Sequence, residues 1–110
     1  MLIPFDSMET KVIPNMRGGE KEVSVKMFTD EAGKIMRGTL IPGATIGMHV
    51  HDTSYEVIYI LSGTATMLYE DEMETLPAGT CHYCPQGKRH SLQNRSDADV
   101  TFFAIVPEVK

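Results

Sequence analysis

From Val23 onward, no stretch of this chain keeps a helical period for more than a turn or two. Apolar and polar residues alternate over short runs instead, and Gly, Pro, Asn and acidic turns separate those runs. That pattern predicts an all-β fold. Strands are expected near 22–28 (EVSVKMF), 34–41 (KIMRGTLI), 47–51 (GMHVH), 55–62 (YEVIYILS), 63–69 (GTATMLY), 81–85 (CHYCP), 90–94 (HSLQN) and 100–106 (VTFFAIV). Their lengths and spacing suit a sandwich or a small barrel. The run YEDEMET, 69–75, gathers like charges that are cheap only in water, and is expected to be a hairpin turn.

At 110 residues the chain has room for one core and one domain. A hydrophobic content of 42% argues against disorder. The net charge of -5, with a pI near 5.2, argues against a nucleic-acid or anionic-membrane partner, since both want a basic face. The opening MLIPFDSMETK has neither a basic start nor a long apolar run, so neither a signal peptide nor a membrane span is expected. Only Cys81 and Cys84 are present, which gives no disulfide framework and makes the cytoplasm the expected compartment.

Three ionisable residues interrupt the apolar run GMHVHDTSYEVIYILSG. Side chains two apart on a strand leave the same face, so His49 and His51 point together. Glu56 begins the next strand after the HDTSY bend, and its carboxylate can return to the same point. Burying such a group unpaired costs several kcal/mol, roughly, and a divalent cation removes that cost. Neutral imidazole nitrogens and a carboxylate oxygen form a recognised ligand set for Zn, Mn, Fe, Ni or Cu. A fourth ligand must come from elsewhere, from His82 or His90. His90 follows the PQGKR turn in the same kind of setting as the first pair and is the better candidate.

At these residues the chain resembles the cupins. Gly43, His49, His51, Glu56 and Gly63 reproduce the spacing of the first cupin motif, and Gly79, Pro85, Gly87, His90 and Asn94 that of the second. The resemblance implies a single-domain, double-stranded antiparallel β-barrel of jelly-roll type, with His49, His51, Glu56 and His90 as metal ligands inside it. It is similar to the single-domain prokaryotic cupins, which have a short connection between motifs, here Thr64–Ala78. Gly63 and Gly79 fall at strand ends where a positive φ or a close backbone approach is expected. Asn94 is expected to bond the backbone at a turn or strand end.

Cys81 and Cys84, three apart on a strand, leave opposite faces and are poorly placed to chelate one ion or form a bridge. A redox CxxC also needs a following helix, where this chain has Pro85 and Gly87. Of His82 and Tyr83, one must face the cavity and the other outward. A cavity-facing Tyr83 would donate a hydrogen bond to substrate; a cavity-facing His82 would serve as general acid or base. Arg37 is a third candidate, for a carboxylate or phosphate if it points inward, although an outward direction is favoured. Methionines such as Met36, Met48 and Met67 read as core and pocket lining.

Two function classes follow from the resemblance. One is a metalloenzyme of dioxygenase, decarboxylase, isomerase or lyase type, acting on a small oxygenated carboxylate, keto acid or sugar derivative. The other is a non-catalytic, metal-dependent binding or sensor protein. Enzyme is favoured, because the ligand set leaves coordination positions open. One divalent ion per chain is expected, with Mn or Fe favoured and Ni, Zn or Cu as alternatives. Residues 1–33 read as an N-terminal extension before a barrel at 34–110. A strand there with no partner in its own chain would seek one in a second subunit, so a homodimer is expected.

Overall fold

The computed structural model describes residues 1–109, so the last residue of the expected barrel segment, Lys110, lies outside them. Its strands in chain order are β1 (Lys11–Pro14), β2 (Glu22–Asp30), β3 (Gly33–Leu40), β4 (His49–Val50), β5 (Glu56–Ser62), β6 (Thr64–Tyr69), β7 (Glu72–Pro77), β8 (Cys81–Cys84), β9 (Arg89–Gln93) and β10 (Val100–Pro107). Every pairing is antiparallel. A six-stranded sheet, ordered β1-β2-β3-β10-β5-β8, and a four-stranded sheet, ordered β4-β9-β6-β7, make up this jelly roll, and hydrogen bonding does not run continuously between them. No helix among the described residues is long and apolar enough to cross a membrane.

Alternation sets which residues meet between the sheets. Along β10, Val100, Phe102, Ala104 and Val106 are buried while Thr101, Phe103, Ile105 and Pro107 are half-exposed. Val23, Val25, Met36, Leu40, Ile58 and Ile60 join them from the larger sheet; Ala65, Met67, Leu76 and Leu92 come from the smaller. Each large apolar side chain so buried contributes about 1.5–3 kcal/mol relative to exposure.

All eight expected strands are present, with shifts at their ends and a first ligand strand shortened to His49–Val50. Two strands were not expected. In β1, KVIP, the strand is short, exposed and closed by a proline, so it carries no alternation to read. The hairpin expected at 69–75 is present but its turn is narrower: only Glu70 and Asp71 form it, Tyr69 ends β6, and Glu72 to Thr75 belong to β7. Because β7 is an edge strand, Glu72, Met73 and Thr75 stay exposed and Glu74 half-exposed, while Leu76 alone enters the core.

The N-terminal strand does find a partner in its own chain. β2 pairs with β3 along its whole length, from Val23 opposite Leu40 to Asp30 opposite Gly33. Between β1 and β2, the loop Asn15–Lys21 lies against the chain just before β4. Gly47 N–H donates to the Met16 carbonyl at 3.0 Å, and Thr45 N–H donates to the Glu20 carbonyl at 2.9 Å. The approach is too close for side chains: a Cβ on Gly19 would lie 2.0 Å from the Thr45 carbonyl oxygen, and one on Gly47 would lie 2.1 Å from that of Arg17. Asn15, Arg17 and Lys21 hold positive φ there, a cost of order 1 kcal/mol each that the docking offsets.

Candidate metal centre

Strand register brings the four candidate ligands together. His49 lies directly opposite His90 in the β4–β9 pair. Glu56 opens β5 on the facing sheet, and His51 sits on the bend between the two. His51, Glu56 and His90 are buried and His49 is half-buried. His51 Nε2 is 2.9 Å from Glu56 Oε1 and 3.1 Å from His90 Nε2, and His90 Nε2 is 2.9 Å from the same carboxylate oxygen. One ligand atom from each of the four residues lies within 4.8 Å of the others.

Electrostatics suit a cation at that point. His49 Nδ1 donates to the Gly47 carbonyl at 2.7 Å, which leaves Nε2 as a lone pair. Burial lowers the pKa of His49 to about 4, so its ring is neutral near pH 7. For Glu56, burial pushes the carboxyl up, but together the imidazole groups of His51 and His90 outweigh it and bring the carboxyl down to about 2. The site therefore presents an ionised carboxylate among imidazoles, and a bound ion would displace the ring protons that face Oε1. A metal–ligand bond of about 2.1 Å puts neighbouring donors roughly 3.0 Å apart in an octahedron and roughly 3.4 Å apart in a tetrahedron. The separations of 2.9 and 3.1 Å fit the octahedral edge.

These ligands line a cavity of about 310 Å3 whose other walls include Met27, Met36, Ile58 and Phe102. Arg17 and Lys34 line it as well, and neither is held in an ion pair among the described residues. Sequence reasoning missed both. Arg17 arrives from the N-terminal loop, outside any motif. The inward parity of Lys34 was obscured because it sits at the strand end next to Gly33.

The remaining candidates fall elsewhere. Tyr83 is exposed and turns toward Tyr55, with ring centroids 5.9 Å apart, and it does not line the cavity. His82 faces inward, as parity allowed, yet it lies behind His90 and outside the cavity, with Nε2 3.1 Å from His90 Nδ1. Its Nδ1 is 2.7 Å from Glu74 Oε1. Burial lowers its pKa, against the opposing pull of Glu74. Arg37 points outward onto Asp6 at 2.7 Å and over the Phe5 ring. Cys81 is exposed and Cys84 is buried, both free, as expected for opposite faces. Burial raises the Cys84 thiol to about 11. Asn94 behaves as read: its Nδ2 donates to the Leu40 and Ala98 carbonyls and its Oδ1 accepts from Ser96. Gly63 and Gly79 both hold positive φ.

The family model described as "Cupin domain" matches residues 36–106. The chain belongs to the cupin family. A curated relative, the oxalate-binding protein of Thermotoga maritima, is 30% identical over 114 residues, covering 96% of this chain and 93% of its own. A crystal structure from Thermotoga maritima, described as that of a predicted oxalate decarboxylase, superposes with a TM-score of 0.93 at 26% identity, covering 99% of this cupin and 100% of that chain. The polyketide cyclase RemF from Streptomyces resistomycificus shares the fold at a TM-score of 0.81 and 17% identity, over 97% of this cupin and 78% of that chain.

Proposed function

We propose that this cupin holds one divalent transition-metal ion through His49, His51, Glu56 and His90 and uses it to bind a small carboxylate of the oxalate type. The observation that carries the reading is the convergence of the His51, Glu56 and His90 donors at octahedral-edge spacing, with a His49 donor within 4.8 Å of them, on the wall of a cavity with apolar sides. Four donors would leave two octahedral positions for ligand oxygens. A bound ion would supply a Lewis acid for carboxylate oxygens at those positions. Arg17 and Lys34 would offer donors to an anion, set against the carboxylates of Asp52 and Glu108 on the same lining. The Met27, Met36, Ile58 and Phe102 walls would exclude water and strengthen those attractions. The names of the Thermotoga maritima relatives, one oxalate-binding and one a predicted oxalate decarboxylase, point to the same ligand class.

The metalloenzyme reading is the second one. Open coordination positions favour it, whereas the placement of Tyr83 and His82 outside the cavity removes its candidate substrate donor and its candidate acid–base group. Elemental analysis of protein purified without a chelating tag, followed by calorimetric titration with oxalate before and after chelation, tests the first reading. One ion per chain and ion-dependent oxalate binding are expected; oxalate binding that survives chelation refutes it. Incubating the loaded protein with 13C-oxalate decides between binding and turnover. The homodimer is also proposed, on the ground that β1 leaves an exposed edge on the larger sheet; sedimentation at micromolar concentration tests it.

A further inference from the structure

His82, buried outside the cavity, has both ring nitrogens hydrogen-bonded to side chains of the other sheet. Glu74 on β7 belongs to the four-stranded sheet, His82 on β8 to the six-stranded sheet, and His90 on β9 to the four-stranded sheet again. The line Glu74 Oε1, His82 Nδ1, His82 Nε2, His90 Nδ1 therefore crosses between the sheets twice, with steps of 2.7 Å and 3.1 Å. A carboxylate only accepts, so His82 Nδ1 carries the proton and its Nε2 is an acceptor. The group facing that acceptor is Nδ1 of His90, which must donate. When an ion displaces the ring proton that faces Glu56, the lone pair of His90 is therefore left on Nε2, the atom turned toward Glu56 and His51.

The rings are held as well as the protons. His82 and His90 stack with centroids 5.2 Å apart at 28°, and the Tyr69 ring packs edge-on against His82 at 5.4 Å. Through Nδ1, the nitrogen turned away from the ligand cluster, His51 meets only the Ser54 hydroxyl and His49 only the Gly47 carbonyl, both neutral partners. Only the His90 branch ends on a charged group, and 36% of the Glu74 side chain is exposed, so its charge costs little to keep.

We propose that Glu74 and His82 are positioning residues for the metal centre, fixing His90 as an Nε2 ligand and raising its basicity through this line; the proposal rests on the metal-binding reading above. Cobalt(II) titration of the full chain tests it. The His82→Phe variant keeps a ring in the stack and removes the acceptor. It is expected to weaken cobalt affinity by about ten- to a hundredfold, the usual effect of losing such a partner. In the loaded wild-type protein, 15N-histidine labelling should identify a hyperfine-shifted, slowly exchanging His90 ring N–H resonance, which the variant should lose.

His82→Gln, whose amide oxygen can accept from His90 Nδ1, should restore part of both signals. Glu74→Gln, on the half-exposed side, should leave melting unchanged, lower cobalt affinity roughly three- to tenfold and shift that resonance. The inference is overturned if His82→Phe binds cobalt within about twofold of wild type and keeps the resonance. Should that variant not fold, wild-type affinity and an unmoved resonance in Glu74→Gln overturn it equally. Failure of the wild-type protein to bind cobalt through the four ligands would instead sink the metal-binding reading, and this inference with it.

Discussion

His90 is the second residue of the five-residue β9, where it and the three residues after it are buried, whereas His49 and His51 occupy a two-residue strand and the bend that follows. β9 is paired on both sides, with β4 and β6, so its backbone is fixed by ladders. The 47–56 segment has little ladder of its own. Its start takes its position from the Asn15–Lys21 loop, through the Gly47–Met16 hydrogen bond and the tight glycine contacts, while residues 51–55 are tied to Gly87 and to the end of β10. Ligand geometry is thus set in two ways at one centre: by sheet register on the His90 side, and by docking of a distant loop on the His49 side.

Gly47→Val is the strongest way to break that contrast. Its Cβ would need the space of the Arg17 carbonyl, so the loop must lift or the segment must shift. Overpacking of this kind costs about 3 kcal/mol, to be read from urea unfolding, and metal affinity should fall with it. A variant as stable as wild type, with unaltered affinity, would mean that the loop does not hold the segment.

Acid titration of the metal-free protein sharpens the contrast further. The pKa of His49 is lowered from 6.5 to about 4 in the folded protein, so between those values the unfolded chain binds more protons and stability rises with pH. Glu56, lowered from 4.5 to about 2, adds a second loss of stability as pH falls through that lower window. Urea midpoints should therefore drop below pH 6.5 and drop again below pH 4.5. His49→Asn should flatten the upper part alone, and an unchanged upper part in that variant would contradict the assignment.

Ser54→Ala has the smallest expected effect. It removes the 3.1 Å partner of His51 Nδ1 without touching a ligand. Stability should fall by about 1 kcal/mol or less, and metal affinity by about tenfold, measured by competition with a chelator. A larger loss of affinity than in His82→Phe would mean that the bend side, and not the β9 side, governs how firmly the ion is held.

The convergence of the four candidate ligands was legible because strand parity and motif spacing act on neighbours in the chain. His49, His51 and Glu56 needed only the period of a strand and one bend, and His90 only a turn beside it. What stayed hidden depends on contacts between distant segments. The sequence could place His82 on an inward parity but not behind His90, since that depends on which strands pair across the gap. Arg17 could not be found at all, because its approach to the cavity rests on glycine contacts between a loop and a segment far apart in the chain. β7 was obscured by charges that an edge strand tolerates and a central strand does not.

The match to the family model starts at Met36, yet β1 and β2 make up two of the six strands in the larger sheet. Val23 and Val25 are fully enclosed, and Arg17 walls the cavity. A version shortened to the common segment would open a groove beside β3 and leave the ligand loop without its brace. The stretch matched by the family model and the stretch that builds the larger sheet are therefore different lengths of chain.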